Sequence, residues 1–441
     1  MKKKISAELN KLIPGGCHTY SKADNQFPYN APEAIVSGKG CYVLGTDKKK
    51  YLDCGMGLSS VSIGHANKEI NKKVKNEIDK GCNFNRPSIL ELKVAKKFLS
   101  VVPKHNMIKF AKNGSTVTTA AVKLARAFTG RDFVAFPKQH FFYSYDDWFM
   151  SRQPTNSGIP ISIGKKTLTF NECNLSSLKK LFSKYKNKIA CVIMEPEKNY
   201  CNCYCACNLK VSDYLRQAQD IIHENGSLFI TDEMVTGYKT SFPGSTTKYN
   251  LDADLTTWGK GIANGFSFCA LTGKKKIMEL GDLRQKKRPR VFLISSTHGA
   301  ESGPLAAFEA TFDFFKNKKV IKKNKKFLKR IVIKTDKLIK KYSLSNNIEI
   351  IKSQWLVSFI FLINKKVSNE FKTIFMQEMI KNNVLFQGFV IPSYSHGESE
   401  VKKFCNAFEE ALKISSKVLE NGIKKYLIQK PVKPIFTKFN M

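Results

Sequence analysis

Three short stretches hold residue types that chemistry could use. In TTWGKGIANG, Lys260 follows an apolar run and stands between Gly259 and Gly261. An amine desolvated in such a place gives up its proton more readily, which attack on a carbonyl requires. The competing reading is one more lysine in a lysine-rich chain. In SLFITDE, Asp232 closes another apolar run. A carboxylate at the mouth of a buried strand costs free energy without a partner. It reads either as a cap for the next segment or as an acid that keeps a proton on a heterocyclic nitrogen. In NGST, Gly114, Ser115 and Thr116 open a helix-forming segment. Glycine admits a ligand close to the backbone, and first-turn amides with two hydroxyls make an anion cradle. An ordinary helix cap uses the same residues. Arg86 in NFNRPS suits a substrate carboxylate or phosphate, or a plain ion pair. His396 in PSYSHGE reads as a surface-loop histidine or as one that closes over a site.

Placing these residues together needs a scaffold, and the pattern supplies one. DFVAFP (132–137), KIACVIMEP (188–196), SLFITDE (227–233), ADLTTWGKG (253–261) and FSFCALTG (266–273) read as buried strands. TVTTAAVKLARAFTGR carries Ala120, Ala121, Leu124, Ala125 and Phe128 on one helical face with Gly130 as a stop, and VSDYLRQAQDIIHENG is an amphipathic helix closed by Gly226. Strands alternating with such helices predict an α/β fold with a mainly parallel sheet, which binds ligands at the carboxyl ends of its strands. Residues 1–65 are loop-rich, and those from 305 on are long basic helices interrupted by two strands in 348–364. The expectation is a large domain over 66–304 and a smaller α+β domain made from 1–65 and 305–441.

Net charge is +38, which raises a nucleic-acid or acidic-membrane partner. The lysines are spread along the chain on solvated helical faces, as in 316–341, where Val320, Ile321, Phe327, Leu328, Ile331 and Ile333 supply the buried side. No specific nucleic-acid partner is expected. No apolar stretch is long enough to span a membrane, and no apolar core follows the basic start as in a secretory leader. A cytoplasmic protein with reduced thiols is therefore expected. That bears on YCNCYCACN, where Cys201, Cys203, Cys205 and Cys207 alternate. Zinc sites space their cysteines differently, so the stretch reads as structural or lining thiols and no metal is expected.

Taken in order, LIPGG (12–16), KGCYVLGTDKKKYLD (39–53), IGHANKEI (63–70), KNGSTVTTAAVKLARAFTGR (112–131), VIMEP (192–196), LFITDEMVTGY (228–238), WGKGIANGF (258–266) and SSTHGAESGPLAA (295–307) resemble the class III pyridoxal-phosphate aminotransferases. The nearest branch is similar to glutamate-1-semialdehyde aminomutase. The resemblance implies the fold-type I architecture, pyridoxal 5'-phosphate as cofactor and a homodimer with its active site at the subunit interface. It implies that Lys260 forms the Schiff base and carries the proton, and that Asp232 pairs with the pyridinium nitrogen. Gly114, Ser115 and Thr116 would bind the phosphate, Val235 would pack on the ring, and Thr297 would reach the neighbouring subunit's phosphate. Glu195 and Asn199 would stand where the strand meets the cofactor. Where the family has Tyr-His-Gly this chain reads HFF (140–142), so His140 is aligned with the stacking aromatic. That loop, HGAESGPLA and CGMGLSSVSIGH (54–65) depart from the aminomutase pattern, and these are the segments that would choose the substrate. A transaminase with an amino donor and a phosphorylated or sugar-like carbonyl acceptor is the expectation. The alternatives are the aminomutase itself and, remotely, a non-catalytic basic binding protein on the same scaffold.

Overall fold

The computed structural model describes residues 3–197 and 209–435. Asn199 and the thiols Cys201, Cys203, Cys205 and Cys207 lie outside them. The chain divides into two compact units, residues 68–318 and residues 1–67 with 319–441.

In the larger unit, strands β1 (Met107–Ala111), β2 (Phe133–Pro137), β3 (Thr167–Phe170), β4 (Ile189–Met194), β5 (Leu228–Glu233), β6 (Leu255–Trp258) and β7 (Cys269–Gly273) form one sheet. Their order is β1-β7-β6-β5-β4-β2-β3. From β6 through β3 every neighbour pairs parallel, and β7 runs against both of its neighbours. Every residue of β4 and β5 is buried, as central strands covered on both faces must be. Helices α1 (Lys68–Ile78), α2 (Ile89–Leu99), α3 (Gly114–Thr129), α4 (Leu175–Lys184), α5 (Val211–Glu224) and α6 (Ser302–Asn317) accompany the sheet. The period-two alternation of strands divides the core. Ile193 and Ile230 face Val117, Ala121 and Leu124 of α3, whereas Val192 and Phe229 face Leu178, Phe182, Leu215 and Ile222 of α4 and α5.

The expected strands and helices are present with shifted ends. The edge strands β1 and β3 were not anticipated, because each is short and only partly apolar. The strand expected to run to Lys260 stops at Trp258. Trp258 is buried edge-on against Phe98 of α2 at 5.4 Å, and Phe98 in turn stacks on Phe308 of α6 at 4.9 Å. This contact also corrects the expected boundary at 305: α6 carries a long buried face that α1, α2 and the chain after β6 cover, so it belongs to the large unit.

The smaller unit joins the two chain ends. Ile35–Lys39, Tyr42–Gly45 and Lys50–Asp53 form an antiparallel ladder, and Val384–Leu385 adds to it in parallel beside Leu52–Asp53. A second sheet pairs Ile348–Lys352, Val357–Ile363, Lys366–Val367 and Phe389–Val390. Helices α7 (Val320–Lys341), α8 (Asn369–Lys381) and α9 (Glu398–Asn421) complete it. On α7, Val320, Phe327, Leu328 and Ile331 are buried as expected. Ile333 is exposed, since a residue two positions past Ile331 lies on the other side of a helix.

His396 is neither a surface histidine nor one that can close over a site. Its ring is buried, Phe327 packs against it at 4.6 Å, and Nδ1 accepts from the Ser393 amide at 3.0 Å. Burial lowers its pKa to about 4, so it is a neutral turn-holding residue of the smaller unit.

Candidate active site

Four consecutive structural features at strand ends of the large unit build the site. First, α3 starts directly after β1. The Asn113 side chain caps it, accepting from the Thr116 amide at 3.0 Å and the Thr116 hydroxyl at 3.1 Å. Both Thr116 donors therefore turn to the cap and away from any ligand, contrary to the expected phosphate role. The amides of Gly114 and Ser115 are helix-end orphans. Ser115 Oγ accepts from the Tyr145 amide at 3.0 Å, which leaves its O–H to donate. The anion cradle thus consists of two amides and one hydroxyl at the positive end of a 16-residue helix.

Second, Asp232 is 3% exposed near the end of β5. Its Oδ1 accepts from the Met234 amide at 2.9 Å and from the Thr257 hydroxyl of neighbouring β6 at 2.8 Å. Oδ2 has no partner among the described residues. Burial raises the carboxyl to about 6, against the two hydrogen bonds and the nearby Lys260 charge, which favour the anion. A buried acid with one oxygen held and the other unspent awaits a donor.

Third, Val235 follows in the same turn. Within 231–240 it is the one residue that is not buried, so part of its apolar surface is open close to Asp232. Its carbonyl accepts from the buried Lys239 ammonium at 2.9 Å. Burial and the Lys260 charge hold Lys239 well below the usual lysine range. Sequence reasoning missed Lys239 and Thr257, whose types are unremarkable until the fold sets them against Val235 and Asp232.

Fourth, Lys260 opens a 3-10 turn, Lys260–Ala263, after β6. It is partly exposed, and its φ of +48° is one that residues with a side chain seldom adopt; the strain is about 1–3 kcal/mol and is typical of functional sites. Gly259 makes the turn feasible. A Cβ there would lie 2.2 Å from Met234 Sδ and 2.7 Å from Cys269 Sγ. Gly259→Ala is therefore expected to lower stability by about 1–3 kcal/mol through overpacking, measured by urea denaturation of the purified protein.

His140 departs from its expected role. Its side chain has no exposed surface, so no ring face is open for stacking. Nδ1 bonds Tyr143 Oη, and Nε2 lies 2.8 Å from Glu172 Oε1. Phe142, two residues on, has an exposed ring set edge-on to Phe149. The aromatic run was legible, but which ring faces outward was not. Glu195 follows β4, and its amide donates to Tyr143 Oη at 3.2 Å.

Arg86 and Thr297 are exposed. The Asn83 side chain donates to the Thr297 carbonyl at 3.0 Å, so their segments meet. Among the described residues no hydrogen bond or ion pair joins either one to Lys260, Asp232 or the start of α3.

The chain as a whole is similar to known proteins. The family model for class-III aminotransferases matches residues 25–412. The glutamate-1-semialdehyde 2,1-aminomutase of Francisella philomiragia is 30% identical over 280 residues, which are 62% of this chain and 64% of that protein. The enzyme of the same name from Methanococcus maripaludis is 31% identical over 286 residues, 63% and 65% of the two chains. The match therefore spans less than two thirds of these relatives. Among solved structures, the FumI protein of Sphingopyxis sp. MTA144 in its PLP internal aldimine form superposes with a TM-score of 0.85 at 19% identity, covering 98% of both chains. An omega-transaminase from Sphaerobacter thermophilus gives 0.80 at 18% identity, over 93% of this chain and 97% of that one. At those identities the likeness is one of fold.

Proposed function

The chain belongs to the class-III aminotransferase family, and from that premise we propose that it is a pyridoxal 5'-phosphate-dependent aminotransferase moving an amino group between an amino donor and a carbonyl acceptor. The observation that carries this reading is Asp232, buried, with Oδ2 unpartnered among the described residues and within electrostatic reach of Lys260. The residues present fit the cofactor: a carboxylate oxygen of a buried acid for a ring nitrogen, an anion cradle for a phosphate, a partly exposed apolar side chain for a ring face and an amine for an aldehyde.

When bound, pyridoxal 5'-phosphate supplies the electron sink that lets a proton leave the carbon bearing the amino group. The chain's residues do the rest. Gly114 and Ser115 would hold the phosphate with their amides and the Ser115 hydroxyl. Asp232 Oδ2 would accept the ring N–H, while Thr257 and Met234 keep that carboxylate in place. Val235 covers one ring face, and Phe142, in place of His140, offers the aromatic for the other. Lys260 would hold the cofactor at its aldehyde carbon, and its amine would serve as the base and acid that moves the proton at the substrate carbon.

A homodimer, with Thr297 reaching the neighbouring subunit's phosphate, belongs to this reading. Its support is the exposure of Thr297 together with the large apolar side chains Phe84, Leu283 and Phe292, surface that a partner subunit would cover. A cytoplasmic setting is likewise proposed. No helix among the described residues is long and apolar enough to cross a membrane.

Arg86, exposed to solvent, is assigned to the substrate's anionic group. Arg86→Ala should weaken the apparent affinity for carboxylate-bearing amines about 10–100-fold, the worth of a charged hydrogen bond, while simple alkylamines are unaffected. A half-reaction screen reads this directly, because conversion of the cofactor to its amine form changes its visible absorbance. A phosphorylated or sugar-like acceptor is the expected counterpart, on the departures in 54–65 and 140–151.

The names of the aminomutase relatives favour a second reading, in which donor and acceptor are one molecule. Efficient conversion of glutamate 1-semialdehyde to 5-aminolevulinate with no added donor would establish it over the first.

A further inference from the structure

Tyr143 joins two parts of the site that no strand or helix joins directly. Its backbone end sits on the anion cradle: the Tyr143 carbonyl accepts from the Thr118 hydroxyl at 2.9 Å. That hydroxyl also reaches the carbonyls of Gly114 and Ser115, each at 3.1 Å. Its phenol end sits past β4, where Oη is 3.3 Å from the Ile193 carbonyl and 3.2 Å from the Glu195 amide. β4 pairs with β5 so that Met194 is opposite Thr231, one residue before Asp232. The ring therefore reaches from the phosphate cradle to the strand end beside Asp232.

A buried phenol alone would not need a buried histidine and glutamate behind it. Yet His140 holds Oη through Nδ1 and is itself held by Glu172 through Nε2, with side chains 0% and 8% exposed. Polar groups buried this deeply are costly unless hydrogen-bonded, and the bonds made here through Nδ1, Nε2 and Glu172 Oε1 hold the phenol in one place. Burial, with the charges of Glu195, Asp232 and Glu172, holds the phenol proton well beyond neutral pH, so Oη remains a neutral hydroxyl. None of these three side chains has a part in the proton movements assigned to Lys260.

We propose that Tyr143, locked by His140 and Glu172, is a positioning residue that sets the span between the phosphate cradle of α3 and the Asp232 carboxylate. The inference rests on the pyridoxal-phosphate reading above. A ligand anchored at both ends gains from its second anchor only when the span is preset. Loss of the Oη tether should therefore reduce what the phosphate adds to binding, and spare the binding of the ring.

The test compares the dissociation constants of pyridoxal 5'-phosphate and of pyridoxal, which lacks the phosphate, by equilibrium dialysis. Wild type should bind the phosphorylated form far more tightly. In Tyr143→Phe the ratio of the two constants should fall by at least about tenfold, with pyridoxal itself changed less than about threefold. His140→Gln, whose amide can still bridge Tyr143 and Glu172, should keep most of the wild-type ratio. A ratio unchanged in Tyr143→Phe overturns the inference. So does an equal loss for both ligands, which is what a purely structural tyrosine would give. If wild type shows no gain from the phosphate, the pyridoxal-phosphate reading falls and the inference with it, a result read from wild type alone.

Discussion

Lys260→Ala should lower amino transfer by at least about 10⁴-fold, since it removes both the attachment point and the proton carrier, and acid–base catalysis alone is worth about 10²–10⁴. The fold should survive. Lys260 is partly exposed and in a turn, and its φ of +48° is no harder for alanine than for lysine. Steady-state kinetics with the best donor from the half-reaction screen measures the loss, and unchanged circular dichroism isolates it from unfolding. A surviving rate within about tenfold of wild type would place the chemistry on another group. Lys239 is the amine to examine then, as it is buried and tied to the Val235 carbonyl.

Asp232→Asn should do two opposite things. Without a carboxylate to keep the ring nitrogen protonated, turnover should drop by about 10²–10³-fold, the scale of a lost electrostatic anchor in a dry site. The cofactor-free protein should at the same time become more stable. Burial raises the Asp232 carboxyl from its ordinary 3.8 to about 6. The unfolded chain therefore ionises first as pH rises, and the folded chain binds the extra proton. Stability contributed by this group is lost between about pH 4 and 6 and stays lost above that, a gap of about 3 kcal/mol at most. Asparagine removes the ionisation but keeps an oxygen for the Met234 amide and the Thr257 hydroxyl. Urea denaturation of the cofactor-free variant at pH 7.5 should give a higher midpoint than wild type, and the difference should shrink toward pH 4. A destabilised variant would mean that Asp232 is retained for structure. The trade is the usual one at sites that store an uncompensated group for a ligand.

Much of this site could be read from residue order because each element advertises its end. Asn113-Gly114 marks the start of α3, and Gly130, at φ +66° with its amide on the Arg126 carbonyl, marks its stop. The buried strands β4 and β5 are unbroken apolar runs, so Asp232 stood out as the polar residue at a strand's mouth. Lys260 was legible through its glycines, although the reason for Gly259 is steric: the side chains of Met234 and Cys269 leave no room for a Cβ.

Other features depend on what long-range packing does to side chains of ordinary type. Nothing local tells that Thr116 spends both donors on Asn113, or that His140 turns inward to Tyr143 and Glu172, a residue 32 positions away. The same applies to His396, whose neighbours Phe327 and Ser393 bury a ring that its polar surroundings in sequence suggest is exposed. Helix α6 misled in the opposite way. It ends only two residues before α7 begins, and the partners of Phe308 assign it to the large unit. Strand ends and helix caps are written locally, whereas which way a histidine faces is decided by residues far away in the chain.

The central claim is that Lys260 is the amine that carries the cofactor. Protein incubated with pyridoxal 5'-phosphate, reduced with borohydride and digested should yield one modified peptide, with the phosphopyridoxyl group on Lys260 at near-unit stoichiometry. Modification concentrated on any other lysine, or scattered over the many exposed ones with Lys260 untouched, would contradict the account.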